Sequence, residues 1–321
     1  MADLAELAVV ERSGFRESCH FGVLSVVGRD GAPAFELGIP AAAFLPRSTV
    51  KPFQAIAALR AGVPLRDASL AVAAASHGGS PEQVAAVLEI LAPAGLGEDD
   101  LQCPAALPRD PDARVAAQCA GAQPRRLWYN CSGKHAAMLA ACVASGWETA
   151  TYLDPDHPLQ RLIRATLEEF AGPVSHVAVD GCGAPLFSVT LRGLARAYHR
   201  LVTAEPGSDA RRVADAMRAF PHLVAGTGQP DTELMRLMPG ALAKGGAEGV
   251  LVVAAPTGEA VAVKVADGSD RPAMLVALAA LARIGVDVSA ATALRQAPVL
   301  GGSRVVGQVV PAFTASSQRE P

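Results

Sequence analysis

Aromatic side chains are scarce in this chain: two tryptophans, three tyrosines and nine phenylalanines in 321 residues. Charge is scarce as well, at 18% Asp, Glu, Lys and Arg, with a formal net charge of -3. A nucleic-acid surface needs clustered basic residues, so no nucleic-acid partner is expected. Long apolar runs are missing too. The stretch AMLVALAALARIGV (273–286) is interrupted by Arg283 and falls short of the roughly 20 residues that a membrane helix needs. The opening MADLAELAVVERSG has no basic n-region and no continuous apolar core, so it does not read as a signal peptide. The expectation is a cytoplasmic protein with no membrane partner. Six cysteines at irregular spacings exclude a disulfide framework, and most of them should be small buried hydrophobes.

Half of the residues are hydrophobic, enough for a substantial core. LAVVERSG, HFGVLSVVGRDG and APAFELG read as a strand followed by a hairpin, with Arg29-Asp30-Gly31 as its turn. Helices are expected over 48–59, 81–91, 132–144, 158–170, 192–203, 208–219 and 231–237, and residues 93–127 read as irregular. GVLVVAAPTGEAVAVKVADG is two strands around a Pro-Thr-Gly turn; a helix (271–284) and a last strand around VVGQVV follow. Strands at both ends and helices between them predict a single α/β domain over 1–321. Its antiparallel sheet is built from N- and C-terminal strands, with helices on both faces and a helical insertion at roughly 80–240. AGTGQ and KGGAEG are Gly-rich but lack the phosphate-loop pattern.

The chemistry begins at RSTVKPFQ (47–54). Serine attacks only when a base takes its proton. Lys51, three residues after Ser48, can be that base if its pKa falls far below ~10.4. One helical turn puts hydroxyl and amine on one face, and Arg47 supplies a cation that disfavours a second charge. Ser-x-x-Lys is the pattern of penicillin-binding proteins and serine β-lactamases, and it also arises by chance. A second serine, Ser76, stands with His77 before Gly78-Gly79, where backbone could approach a ligand closely. Late in the chain, Lys264 interrupts a Val-Ala alternation; it either snorkels to water or serves as a buried amine. Cys131 and Lys134 share an i, i+3 spacing at a helix start, and Cys182 lies in a Gly-flanked turn. Thiolates suit zinc, with His135 the conventional third ligand by residue type.

Taken together, RSTVKPFQA, the Ser-His of AAASHGG, NCSGKHAAMLA, DPDHPLQ, VDGCGAP, HLVAGTG and VKVADG resemble the rhizobial-type, or class 3, L-asparaginases nearly end to end. The resemblance implies a penicillin-binding/β-lactamase-like α/β fold, a homodimer, and hydrolysis of L-asparagine to L-aspartate and ammonia. It implies two Ser–Lys pairs, Ser48 with Lys51 and Ser76 with Lys264, as catalytic residues. Arg47, Asp180 and His77 are the substrate-binding candidates. It further implies zinc held by Cys131, Lys134 and Cys182, with His135 only a neighbour. A glutaminase, or a catalytically silent zinc-binding protein of the same fold, is the alternative.

Overall fold

The computed structural model describes residues 4–313, which fold as two compact units. The first comprises the residues up to Thr49, Val189–Thr203 and the residues from Leu234 on. Its eight-stranded sheet orders Pro298–Gly301, Arg304–Pro311, Ala5–Arg12, Phe15–Val27, Ala260–Val265, Val250–Ala254 and Leu242–Gly246 side by side. Pro33–Leu37 also pairs with Phe15–Val27. Every pairing is antiparallel, and strands from the two chain ends meet, with Val9 opposite Val310. Ser13 and Gly14, at φ 50° and 80°, close the first hairpin in the two-residue form that matches strand twist.

VLVVA and AVAVKV are rich in β-branched residues and buried at every position but Lys264. Burial of both alternating sets means that both faces are covered. Helices Leu191–Val202 and Ala273–Arg283 pack on Ala260–Val265. Leu242–Gly246, at the sheet's edge, is a strand although KGG argues against one: Ala243 and Lys244 pair with Val253 and Val252. Cross-strand pairing overrides the weak propensity of glycine here.

The second unit, Val50–Ser188 and Ala204–Glu233, is mainly helical. The segment expected as one helix over 48–59 is a 3-10 turn, Arg47–Val50, running into the α-helix Lys51–Arg60, with Pro52 in its tolerated first turn. Pro81–Leu91 starts where Ser80 accepts from the Gln83 N–H, and Ser132–Ser145 stops at Gly146 in the left-handed region. Besides the single turn Pro221–Val224, two longer α-helices lie where none was expected. Asp67–Ala73 is short and entered through Arg66, a residue with no sequence signal for a cap. Pro111–Cys119 sits inside the stretch read as irregular, capped by the Asp110 side chain.

Gly133 sets the closest approach in this unit. A Cβ there would lie 2.2 Å from the Val72 carbonyl oxygen, so only glycine lets helix Ser132–Ser145 seat against helix Asp67–Ala73.

Candidate active site

In the helical unit, Lys51 opens its helix with its side chain fully buried. Its amine lies 2.6 Å from the Ala75 carbonyl oxygen, 3.2 Å from the Asn130 carbonyl oxygen and 3.1 Å from Ser76 Oγ. Burial first, and then the charge of Lys134, push its pKa down, against the opposing pull of Cys131 and Cys182. A neutral amine has two N–H bonds and one lone pair. Two of its neighbours are carbonyls that can only accept, and the Cys131 side chain also shares a hydrogen bond with it, so the Ser76 hydroxyl and the Cys131 thiol are the groups that can meet the lone pair. Once protonated, the same amine has three N–H bonds to share among the two carbonyls, Ser76 Oγ and Cys131 Sγ.

His77 follows, fully buried, with both ring nitrogens engaged. Ser132 Oγ donates to the Leu127 carbonyl, so His77 Nε2–H donates to Ser132 Oγ at 2.8 Å, while Nδ1 accepts from the Gly79 N–H. Burial, helped by the Lys51 charge, drives its pKa down to about 3, so the ring is neutral and acts as a strut.

Cys131, Lys134 and Cys182 come together in this unit. Lys134 Nζ is 3.1 Å from Cys182 Sγ and 3.8 Å from Asp180 Oδ2, and the side chains of Cys131, Lys134 and Cys182 are buried. Asp180 Oδ1 accepts its neighbour's Gly181 N–H, and Oδ2 lies 3.6 Å from Cys182 Sγ. The thiols share a hydrogen bond that holds the pKa of Cys131 well below its usual value and raises that of Cys182. Burial disfavours the Lys134 cation, but the charges of Cys182, Cys131 and Asp180 outweigh it and raise its pKa. His135 points elsewhere. Its Nδ1 meets Tyr152 OH at 2.7 Å, and burial keeps it neutral. Among the described residues no group of three His, Cys, Asp or Glu converges. A metal here therefore needs the Lys134 nitrogen beside the two sulfurs, and that soft donor set fits zinc.

In the sheet unit, Arg47 precedes Ser48 at φ 53°, a left-handed backbone uncommon outside glycine, and pairs with Glu248 at 3.9 Å. Strain of this kind collects at functional sites. Lys264 donates to the Glu248 and Val265 carbonyls at 2.5 and 2.6 Å; burial lowers its pKa, and Glu248, Asp267 and Asp270 pull the other way. A second lysine, not singled out in the sequence, is more deeply buried. Lys244 is 1% exposed and donates to the Gly245 carbonyl at 2.8 Å. It lies two residues before Gly246, whose missing Cβ would point to within 3.0 Å of the Pro46 carbonyl oxygen and 3.3 Å of Ser48 N. Residues i and i+2 of a strand share a face, so the Lys244 side chain leaves the strand on the side of the Pro46–Ser48 segment. Lys264 is on that face too, but it aligns with Val250 and Gly246 from two strands away. The signal for Lys244 was a lysine in an otherwise apolar ALAKGG, masked by its glycines.

The L-asparaginase II family model matches residues 8–311 of the chain. No curated protein sequence matches it significantly. Among solved structures it is similar to a beta-lactamase from Mycobacterium bovis, at 20% identity over 83% of this chain and 95% of that one, with a TM-score of 0.47. It is also similar to EstCE1, a hydrolase with promiscuous acyltransferase activity, at 12% identity over 76% and 88%, with a TM-score of 0.41.

Proposed function

The chain belongs to the L-asparaginase II family, and on that premise we propose that it hydrolyses L-asparagine to L-aspartate and ammonia through a serine acyl-enzyme. The observation that carries this reading is the Lys51 amine, buried and within hydrogen-bonding distance of Ser76 Oγ at 3.1 Å. Ser76 Oγ attacks the carboxamide carbon as Lys51 takes the hydroxyl proton. The Ala75 and Asn130 carbonyls stabilise the ammonium that forms. Lys51 returns the proton to the leaving nitrogen, ammonia departs, and a water activated by the same amine hydrolyses the ester.

Ser48 is the second serine of the proposal, and we assign its amine to Lys244, which is more buried than Lys264 and leaves the edge strand toward the Pro46–Ser48 segment. Arg47 is a group for the substrate carboxylate. Asp180 is reassigned from the substrate to the metal cluster, since its carboxylate lies beside Lys134 and Cys182. Cys131, Lys134 and Cys182 would hold zinc, which when bound supplies a fixed positive charge. A homodimer in the cytoplasm belongs to the same reading. Among the described residues, no helix is long and apolar enough to cross a membrane.

Ammonia release from L-asparagine and L-glutamine tests the proposal. Asparagine should be turned over faster. The two differ by one methylene, worth only ~1–3 kcal/mol of discrimination, so a glutamine rate of about a tenth to a hundredth is expected. Ser76→Ala should be folded and lose at least about a hundredfold. Equal or better turnover of glutamine would move the substrate, and an active Ser76→Ala would remove the mechanism.

A further inference from the structure

The hydroxyl of Ser76 is useful to Lys51 only if the loop that carries it holds still, and every backbone N–H of that loop is already spent on the protein. Ser76 N–H donates to the Val224 carbonyl at 2.8 Å, and His77 N–H to that of Asn130 at 3.2 Å. Gly78 N–H and Ser80 N–H both donate to Gln83 Oε1, at 2.9 and 3.1 Å, and Gly79 N–H donates to His77 Nδ1. The loop that sequence alone presents as an open Gly-Gly approach for a ligand is a closed frame. Its glycines serve a different need: Gly79 takes φ 80°, and a Cβ on Gly78 would meet the Asp110 backbone nitrogen at 3.2 Å.

Gln83 ties this frame together. It is 2% exposed, on the first turn of helix Pro81–Leu91. Its amide oxygen gathers two loop N–H groups, while its amide nitrogen donates to the His222 carbonyl at 3.0 Å. His222 and Val224 belong to one short helical turn, Pro221–Val224, so that turn is laced to the loop twice, through Gln83 and through the Ser76 N–H itself. The turn is anchored in its own right by the Thr232 hydroxyl, which donates to the Pro221 carbonyl at 2.9 Å.

We propose that Gln83 is a positioning residue for the hydrolysis: its side-chain amide fixes the loop 76–80 and the Pro221–Val224 turn together, so that Ser76 Oγ stays within hydrogen-bonding distance of the Lys51 amine. The inference rests on the reading of Ser76 and Lys51 as the acting pair. Only an amide meets the requirement, because the same side chain must accept two N–H bonds and donate one. Gln83→Glu keeps the acceptor and loses the donor, setting a carboxylate oxygen against the His222 carbonyl. Gln83→Met keeps the length and loses both.

Steady-state kinetics of ammonia release by the full chain and its variants test the assignment, with circular dichroism to establish the folded fraction. A misplacement of about 1 Å can cost up to roughly a hundredfold in rate. For Gln83→Met, kcat per folded molecule should fall at least about tenfold while KM stays within about threefold. Gln83→Glu should recover part of the loss, since the two loop N–H groups keep their acceptor. Where Gln83→Met does not fold, Gln83→Glu alone decides, with kcat expected below the parent's at near-constant KM. A purely structural Gln83 would lower the melting temperature and leave kcat per folded molecule unchanged, and that result overturns the proposal. Ser76→Ala separates the two layers. If it is inactive while both Gln83 variants keep the parent's kcat, the positioning role alone fails; if Ser76→Ala is active, the reading beneath it fails.

Discussion

Gly133→Ala puts the geometry of the helical unit under the most direct strain. The added Cβ would stand 2.2 Å from the Val72 carbonyl oxygen and 2.9 Å from its carbon, whereas real Cβ contacts essentially never fall below 3.0 Å. Both atoms are backbone, so helix Ser132–Ser145 must retreat from helix Asp67–Ala73 by at least about 0.8 Å. Overpacking of this kind costs ~1–3 kcal/mol, and the better helix propensity of alanine returns ~1 kcal/mol. A net loss of up to about 2 kcal/mol is expected, which lowers the melting temperature by up to several degrees. Activity should suffer more than stability. Lys51 bridges the carbonyl of Ala75, just beyond the first of these helices, and that of Asn130, just before the second. The Asn130 bond is already 3.2 Å long, and a retreat of 0.8 Å along it would end it. The expected drop in kcat/KM is about ten- to a hundredfold. Gly97→Ala is the control, at a glycine with nothing within 4 Å of its would-be Cβ. Calorimetry and ammonia release on all three proteins give the answer. A Gly133→Ala protein with the parent's melting temperature and kcat/KM would refute this packing argument.

A base must be neutral to accept a proton, so kcat/KM should rise with pH through the pKa of Lys51 and level off below ~10.4, because burial lowers that value. The same shift has a stability signature: between the lowered folded pKa and ~10.4 the unfolded chain binds the extra proton, so stability rises with pH across that window. Lys51→Met should flatten the rise in urea titrations, and an unchanged slope would contradict the burial argument. Lys244→Met is expected to cost at least about tenfold more activity than Lys264→Met; the reverse order would return the second amine to Lys264. Zinc must displace the proton that Cys182, Cys131 and Asp180 hold on Lys134, so zinc content after dialysis should fall steeply with acid. Cys131→Ser/Cys182→Ser protein should be depleted at every pH, and full occupancy in that variant would remove the site.

Where one residue type and one spacing carry the information, the sequence is legible. Val-Ala alternation around Lys264, the strand pair around Pro-Thr-Gly and the turn at Arg29-Asp30-Gly31 lead to the antiparallel sheet and to its assembly from both chain ends. Ser80 before Pro81 marks a helix start in the same way. What stays hidden depends on partners far along the chain. Nothing local says that ALAKGG is an edge strand, since its pairing with Val250–Ala254 decides it. Helix Asp67–Ala73 has no side-chain cap signal, and its seat is set by Gly133, far along the chain. The Ser-x-x-Lys spacing draws attention to Ser48 as the partner of Lys51 and gives no hint of Ser76, which is 25 residues further along the chain. Burial against Ala75, Ser76 and Asn130, which no spacing encodes, is what gives Lys51 its hydrogen-bond partners.

Rapid acid quench of the enzyme with L-asparagine, followed by proteolysis and mass spectrometry of the peptides, goes straight to the claim that Lys51 activates Ser76. An aspartyl ester on the peptide carrying Ser76, absent from Lys51→Met, is the predicted result. The same ester on the peptide carrying Ser48, with Ser76 unmodified, would contradict it.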